Sequence, residues 1–187
     1  MRITLLFCAT LALTASTASA QTFYSGPWQP RPSIGVAVGA HGLLTRNGDA
    51  TAMRSATLEI PFVDSGRIRI EAARTTLPMI PQGAPDGSMP VDVAHTRRLT
   101  ISVAGLRSPG ARVTAYVGTG VGFYQTTFDH APKLPVRMGM HLHGGAELDL
   151  DGLSIDAELG FHRFRDDRWF QRKVVTGEAV IRVKMAL

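Results

Sequence analysis

The sequence predicts an all-β fold, an eight-stranded antiparallel up-and-down barrel over residues 33–187, and three observations carry this prediction. From Ser33 onward, segment after segment alternates apolar residues with polar or small ones, and a period of two is the side-chain period of a β-strand. None of these segments shows the period of a helix. The connections alternate between short turns with glycine and long polar or proline-rich segments, as expected when strands run up and down a barrel.

Each strand is predicted from its own run of alternating apolar positions. In chain order these runs are Ile34 to Ala40, Ala56 to Phe62, Ile68 to Ala72, Leu99 to Gly105, Val113 to Phe123, Met138 to Leu150, Leu153 to Phe161 and Ala179 to Leu187. Pro61 lies near a strand end, where a missing backbone donor is tolerated. The four long connections are predicted at Gly42 to Ala50, Leu77 to His95, Asp129 to Val136 and Arg165 to Gly177.

The turn at Asp151-Gly152 sets the register of the sixth and seventh strands. Asp-Gly favours a two-residue turn of type I′, in which both residues have positive φ, so Leu150 and Leu153 become direct partners. Counting away from the turn places apolar residues opposite apolar ones and polar residues opposite polar ones. The predicted pairs include Leu148–Ile155, Leu142–Phe161, Glu147–Asp156 and His141–His162. A shift of one residue would mix the two faces, so the pattern supports this register.

The first 32 residues are expected to lie outside the barrel. Residues 1–20 combine the basic Arg2, an apolar run and a small-residue site before Gln21, which is the pattern of a cleaved signal peptide. Residues 21–32 are rich in proline and predict a periplasmic tether. Cys8 is the single cysteine and lies in the signal, so the exported chain is expected to have no disulfide. Export also argues against nucleic acid as a partner, despite a net charge of +5.

The apolar face of the predicted strands carries no charged residue, and this purity is what contact with lipid requires. A charge at the middle of a bilayer costs roughly 2–4 kcal/mol. The uncharged outer face, an even number of strands, and short turns at one end with long loops at the other together predict a barrel in a Gram-negative-type outer membrane. The alternative is a soluble periplasmic barrel of the lipocalin kind, in which the apolar face lines the cavity of an apolar ligand and the charged face meets water.

The opposite face is predicted to form an ionic network in the lumen. Its predicted members are Glu59, Arg69, Glu71, Arg98, Glu147, Asp156, Glu158, Arg182 and Lys184. An eight-stranded barrel is only wide enough for side chains to fill, so we expect a closed, salt-bridged interior and no open pore. Glu147 directly opposite Asp156 would be repulsive, so a cation from a neighbouring strand, such as Arg98 or Arg182, is required there. Glycines on this face, among them Gly160, would make room for the long side chains.

Two groups of residues are candidates for contacts outside the barrel. Four arginines continue the apolar face at the end that carries the long loops, here called the loop end: Arg54, Arg74, Arg97 and Arg163. They would reach lipid headgroups, where lipopolysaccharide phosphates are bidentate partners, or else form a solvated rim. In the last loop, Arg168, Trp169 and Phe170 are candidates for contact with an external ligand, because aromatic residues and arginine dominate binding hot spots. The alternative is an aromatic girdle at the membrane interface.

The stretch AYVGTGVGFYQTTF, residues 115–128, resembles the Gly-aromatic strand of small outer-membrane β-barrel families, the OmpX/Ail and OmpA transmembrane-domain class. The resemblance implies a structural, adhesive or surface-interaction role without a cofactor. In those families a terminal aromatic is part of the signal read by the barrel-insertion machinery. Here the last residue is Leu187, although Ile181, Val183 and Met185 keep the period of that signal. The expected partners are outer-membrane lipid and lipopolysaccharide, this machinery and an unidentified external ligand, and a monomer is expected.

Two chemical alternatives remain open at this point. His141, His143 and His162 have a spacing that can hold Zn²⁺, since two lie on one strand and the third lies directly opposite. The alternative is that these histidines form hydrogen bonds with interior carboxylates. An outer-membrane enzyme, such as a lipid A deacylase or acyltransferase, would need a Ser-His-acid arrangement facing lipid. No His-x-Ser pair faces that way in the predicted strands, so a non-enzymatic barrel is favoured.

Overall fold

The computed structural model describes residues 31–44, 50–63, 65–79, 92–129, 135–166 and 172–187. Its strands are β1 (Ser33–Leu43), β2 (Thr51–Val63), β3 (Gly66–Met79), β4 (Asp92–Arg107), β5 (Val113–Phe128), β6 (Arg137–Asp149), β7 (Leu153–Asp166) and β8 (Arg172–Ala186). Each strand pairs antiparallel with the next, and β1 pairs with β8, so the sheet closes into a barrel. The predicted fold class is confirmed. The predicted signal peptide, residues 1–20, and residues 21–30 of the predicted tether lie outside the described residues.

The hairpin of β6 and β7 has the predicted turn and register. Asp151 and Gly152 have φ values of 57° and 101°, and the Leu150 backbone N–H donates to the Leu153 carbonyl at 2.7 Å. The predicted pairs occur as expected: Leu148–Ile155, Leu142–Phe161, Glu147–Asp156 and His141–His162. A two-residue turn and a strict separation of faces were therefore sufficient to fix this part of the sheet.

The strands extend further towards the loop end than the sequence predicts. Residues 77–79 and 92–95 lie in the ladder of β3 and β4, which runs out to the pair Met79 and Asp92, so the predicted loop from Leu77 to His95 is too long. Likewise, β7 reaches Asp166 and β8 begins at Arg172. The apolar alternation stops where the strands leave the apolar belt, whereas backbone hydrogen bonding does not depend on it. Hydrophobic pattern therefore underestimates strand length at this end.

Between its two ends, the barrel has most of its apolar side chains facing outward and its charged side chains facing inward. Val36, Val117 and Met138 are 66%, 63% and 68% exposed, whereas Asp156 and Arg182 are 0% exposed. The outward belt includes Ile34, Val38, Leu99, Ile101, Val103, Val121, Phe123, Met140, Leu142, Phe161, Ile181 and Val183. This arrangement contradicts the lipocalin-like alternative, in which the apolar face would line the interior. The described part of the chain also lacks any helix long and apolar enough to cross a membrane.

The described interior contains a small apolar cluster, and glycines make space for the buried polar groups. The cluster consists of Ala37, Met53, Ala73 and Val180. A Cβ atom added at Gly160 would lie 2.5 Å from Glu178 Oε1. A side chain there would collide with this buried carboxylate, so glycine at this position leaves room for a buried charge.

Candidate functional site

The charged side chains of the lumen form layers, and the first layer lies at the turn end, opposite the loop end. Lys184 Nζ donates to Glu59 Oε2 at 3.0 Å and to Glu147 Oε2 at 2.7 Å. Arg67 Nη1 donates to the same two carboxylate oxygens at 2.5 and 2.6 Å. Two cations therefore hold two carboxylates that come from β2 and β6, and this ties separate parts of the barrel wall together.

The central layer surrounds Asp156 and Glu158. Arg182 Nη1 donates to Asp156 Oδ2 at 2.7 Å, and the Tyr116 hydroxyl oxygen lies 2.5 Å from Asp156 Oδ1 and 2.7 Å from Glu158 Oε2, so its one proton serves the two carboxylates. Arg69 donates to Glu158 through Nη1 and, through Nε, to Glu59 Oε1 at 2.7 Å, which joins this layer to the first. Each acid in the layer is thus bound by at least one guanidinium and by the tyrosine hydroxyl.

The repulsion predicted between the opposed Glu147 and Asp156 is offset by cations at each carboxylate, and Lys184 Nζ lies within 4 Å of both, at 2.7 Å from Glu147 and 3.9 Å from Asp156. Asp156 pairs with Arg182, and Glu147 pairs with Lys184 and Arg67. Of the two cations suggested by the sequence, Arg182 therefore takes this role. Arg98 lies elsewhere in the lumen.

Arg98 organises the layer towards the loop end. Its guanidinium donates to Glu71 Oε1 at 2.7 Å, to Glu178 Oε2 at 2.5 Å and, through Nη1, contacts His162 Nε2 at 2.8 Å. The other oxygen of Glu71 accepts from Arg182 at 2.6 Å, so this layer is continuous with the central one. All nine predicted network residues therefore lie in one connected set of ion pairs.

Besides the nine predicted members, the network contains Arg67, which the alternation of β3 places on the lumen face with Arg69, and Glu178, which the sequence does not predict there. Glu178 directly follows the predicted last loop, and its strand was expected to begin one residue later. Its spacing from Arg182 and Lys184 is even, which is the signal that places all three on the same face. The tyrosines Tyr116 and Tyr124 are also buried and hydrogen-bonded inside.

The burial of so many charges makes each partner energetically important. The carboxylates of the network are Glu59, Glu71, Glu147, Asp156, Glu158 and Glu178, and the cations are Arg67, Arg69, Arg98, Arg182 and Lys184. Removing one partner of a buried pair leaves an uncompensated charge, which costs about 3–5 kcal/mol. The network therefore favours one arrangement of the strands and fills the lumen with interlocked side chains.

The three histidines of the proposed metal site form a stack inside the barrel. The ring centroids of His141 and His162 are 4.4 Å apart with an interplanar angle of 2°, and those of His141 and His143 are 4.8 Å apart at 12°. His143 Nδ1 lies 3.0 Å from Glu158 Oε2, and His162 Nδ1 lies 2.8 Å from the Tyr124 hydroxyl. Among the described residues, neither ring nitrogen of His141 has a hydrogen-bond partner.

His143 and His162 lie within hydrogen-bond distance of interior carboxylates, as the alternative to a metal site predicts, whereas His141 has no such partner among the described residues. The group whose ligand atoms lie within 4.8 Å of one another is His141, His162 and Glu178, so His143 is not part of it. The lone pairs of His141 and His162 lie in nearly parallel planes because their rings are stacked, whereas a tetrahedral Zn²⁺ needs ligand atoms that converge at about 2.0–2.1 Å. The Arg98 guanidinium also occupies His162 Nε2 and Glu178, which would otherwise be the ligands.

Three of the four predicted rim arginines come together. Arg54 and Arg74 are cross-strand partners, Arg74 and Arg97 are partners in the next ladder, and all three side chains are exposed on the outer face. Arg163 lies apart on β7, where its partners are Met140 and Val175. Like charges directly opposite one another destabilise a sheet, and no carboxylate of the described chain is paired with this arginine row. The row is therefore suited to an external anion. The predicted loop contacts Arg168, Trp169 and Phe170 lie outside the described residues.

A closed eight-stranded antiparallel barrel with an apolar outer belt and an ion-paired interior defines a barrel of the membrane type, and known structures share this fold. Neisserial surface protein A (NspA) aligns with a TM-score of 0.64 and 12% identity over 83% of this chain and 96% of that one. Ail, the attachment invasion locus protein of Yersinia pestis, gives 0.55 and 13% over 84% and 97%. The outer-membrane protein OprG from Pseudomonas aeruginosa gives 0.55 and 13% over 86% and 98%.

The chain therefore has the fold of the small eight-stranded outer-membrane barrels, as the resemblance of residues 115–128 implied. At this level of identity the likeness concerns the fold alone. No protein-family model matches the chain, and no curated protein matches it.

Proposed function

We propose that this chain is a monomeric outer-membrane barrel with a closed lumen, whose role is structural and interaction-based. It would be exported by its signal peptide, hold lipopolysaccharide at its rim and present four loops to an external ligand. The observation that carries the proposal is that the barrel has its apolar residues outside and its charged residues inside, the reverse of a soluble protein. An apolar belt surrounds an interior in which Asp156 and Arg182 are fully buried.

The belt supports a position in lipid on energetic grounds. Soluble monomers rarely expose contiguous apolar patches of more than a few hundred Å². Here outward-facing Val, Ile, Leu, Met and Phe residues occur on strands all around the closed sheet, and many of them are 40% exposed or more. Closure of the sheet also satisfies the backbone donors and acceptors that lipid could not.

The ionic layers support a barrel that does not conduct. Arg69, Arg182 and Lys184 are at most 1% exposed and reach carboxylates on other strands across the interior. An eight-stranded barrel has room only for such side chains. The ion pairs between them would have to break before an ion could pass.

The arginine row supports contact with lipopolysaccharide. Guanidinium groups bind phosphates bidentately, and a basic residue near an anionic membrane surface contributes about 1 kcal/mol. Arg54, Arg74 and Arg97 lie at the loop end, which faces outward if both termini are periplasmic. The phosphates would also relieve the repulsion among the three arginines.

The loops and the last strand carry the remaining proposed contacts. We assign Arg168, Trp169 and Phe170 to the external ligand on their residue types alone. The barrel-insertion machinery would read β8, on which Ile181, Val183 and Met185 face outward and are 60%, 42% and 52% exposed.

The test of this proposal is cell fractionation combined with gel mobility before and after heating. We expect the full chain in the outer-membrane fraction, with a folded form that migrates differently from the heated form. Recovery as a freely soluble periplasmic protein would reject the proposal. Lipid contact at the rim is tested separately, because the barrel could be in the membrane without binding lipopolysaccharide specifically.

A further inference from the structure

A hydroxyl, an imidazole and a carboxylate meet on the outer face of the loop end. Thr76 on β3 and His95 on β4 are direct cross-strand partners, and Asp129 directly follows β5. The Thr76 hydroxyl oxygen lies 3.3 Å from His95 Nδ1, and His95 Nε2 lies 3.2 Å from Asp129 Oδ1. The side chains of His95 and Asp129 are 29% and 50% exposed, so a molecule at the surface can reach them.

The order of these groups is that of a nucleophile, a general base and the acid that orients the base. One ring nitrogen of His95 faces the hydroxyl while the other faces the carboxylate, so Asp129 favours the tautomer with its proton on Nε2 and leaves Nδ1 free to accept. Both distances are at or slightly beyond the upper end of catalytic hydrogen bonds, which are often long before a substrate binds. We propose that Thr76, His95 and Asp129 form a catalytic site for ester hydrolysis.

The neighbouring residues indicate which esters would fit. Arg74 and Arg97 lie two residues from Thr76 and His95 on the same outward face, and alternate strand residues are about 6.5–7 Å apart. The triad and the apolar belt lie on opposite sides of the arginine row. On the belt side, Leu99 is 42% exposed. A substrate held by its phosphate at the row would therefore present its polar, water-facing part to Thr76. The fitting class is a short-chain acyl ester on the headgroup side of a phosphate-bearing amphiphile.

The reaction balances with water as the only co-substrate. Thr76 Oγ1 forms a bond to the acyl carbon while its proton passes to His95 Nδ1, and the ester C–O bond breaks as His95 returns that proton to the leaving alcohol. Water then attacks the acyl-threonine with His95 as base, which releases the acid and restores the hydroxyl.

This site is not visible in the sequence for two reasons. Its nucleophile is a threonine, and the pairing of Thr76 with His95 lies beyond the strand ends that the apolar pattern predicts. The inference also rests on the proposed function, because it places the triad at the outer surface of a membrane barrel. The experiment must therefore separate failure of the site from failure of the barrel.

The experiment measures hydrolysis by the full chain folded in detergent micelles, with p-nitrophenyl acetate and p-nitrophenyl palmitate as substrates. Heat-dependent gel mobility of the same samples reports whether each variant is folded. We expect acetate turnover above the micelle blank and a preference for acetate over palmitate. Thr76→Val, His95→Gln and Asp129→Asn should each lower the rate about 10²-fold or more, and Thr76→Ser should retain it.

The matched control is Thr119→Val, which removes another outward-facing threonine hydroxyl, one that donates to the His141 carbonyl at 3.1 Å. It should leave the rate unchanged. A fluorophosphonate should label Thr76, as located by peptide mass spectrometry, and His95→Gln should abolish the label. A folded barrel without turnover, or one in which Thr76→Val keeps the wild-type rate, would reject the catalytic site and leave the barrel intact. A preference for palmitate would overturn the assignment to short-chain esters.

Discussion

Arg182 and Asp156 are cross-strand partners on β8 and β7, and their side chains form a 2.7 Å ion pair from which solvent is fully excluded. Arg182 also binds Glu71 at 2.6 Å on the far side of the lumen. A single guanidinium thus joins adjacent strands and opposite walls. Removal of this guanidinium should therefore lower the free energy of unfolding more than removal of an arginine at the barrel surface.

We expect Arg182→Met to destabilise the barrel by about 3–5 kcal/mol, because Asp156 and Glu71 would lose a buried partner. Denaturant unfolding in lipid bilayers measures this change in the free energy of unfolding. Arg112→Met, at an exposed position beside the turn before β5, is the control and should change it by less than about 0.5 kcal/mol. Equal effects of the two substitutions would contradict the role assigned to the buried pair.

A second prediction concerns the space that glycine leaves for a buried carboxylate. In Gly160→Ala the new Cβ would meet Glu178 Oε1 at 2.5 Å, so we expect a loss of about 1–3 kcal/mol in the free energy of unfolding. In Gly105→Ala the added methyl meets no atom of the described residues within 4 Å, and we expect almost no loss. If both variants unfold at the same denaturant concentration, the lumen is less tightly filled than described.

A third prediction tests the lipid face directly. Val117 lies well inside the outward belt, and Val113 lies at its turn end. Val117→Arg should cost roughly 2–4 kcal/mol of unfolding free energy in a bilayer, and Val113→Arg about 0–1, because the cost of a charge falls from the midplane to the interface. Unfolding of each variant in bilayers gives the two values. Costs near zero at both positions would mean that water, and not lipid, covers this face.

A fourth prediction separates the arginine row from an isolated arginine. Replacing Arg54, Arg74 and Arg97 together by glutamine should weaken binding of lipopolysaccharide to the folded barrel by roughly 3 kcal/mol, if each contributes about 1 kcal/mol. Binding is measured by titration of lipopolysaccharide at low and moderate salt. Arg163→Gln, outside the row, should weaken binding by no more than the contribution of a single charge, about 1 kcal/mol. A triple variant that binds as tightly as the parent would leave the row as a solvated rim.

The sequence predicts the face of most strands and the register of β6 with β7, because both depend on neighbours along the chain. The pair His141–His162 follows from the turn at Asp151-Gly152 by counting, and the inward position of Glu147 follows from alternation. These features need no knowledge of the opposite wall of the barrel. They are confirmed for that reason.

Contacts across the lumen could not be predicted in the same way. Arg98 on β4 binds Glu178 on β8, and these strands are not neighbours in the sheet. Such a contact depends on the stagger of the strands around the whole barrel and on side-chain reach, neither of which appears as a local pattern. The extension of β3 and β4 to Met79 and Asp92 was missed because the apolar alternation ends earlier than the backbone pairing.

The pairing of the first strand with the last has a consequence for the order of folding. Ser33 pairs with Ala186, and Leu187 N–H donates to the Pro32 carbonyl at 2.8 Å, so the sheet cannot close until the end of the chain is in place. Until then, β1 and β8 each have an edge of unpaired backbone groups, and such groups cost several kcal/mol each in lipid. Arg182 and Lys184 on β8 also lack Glu71 and Glu59 as partners until closure. Entry into the membrane and closure of the sheet should therefore be a single concerted step, with the strand edges shielded until the last hydrogen bonds form.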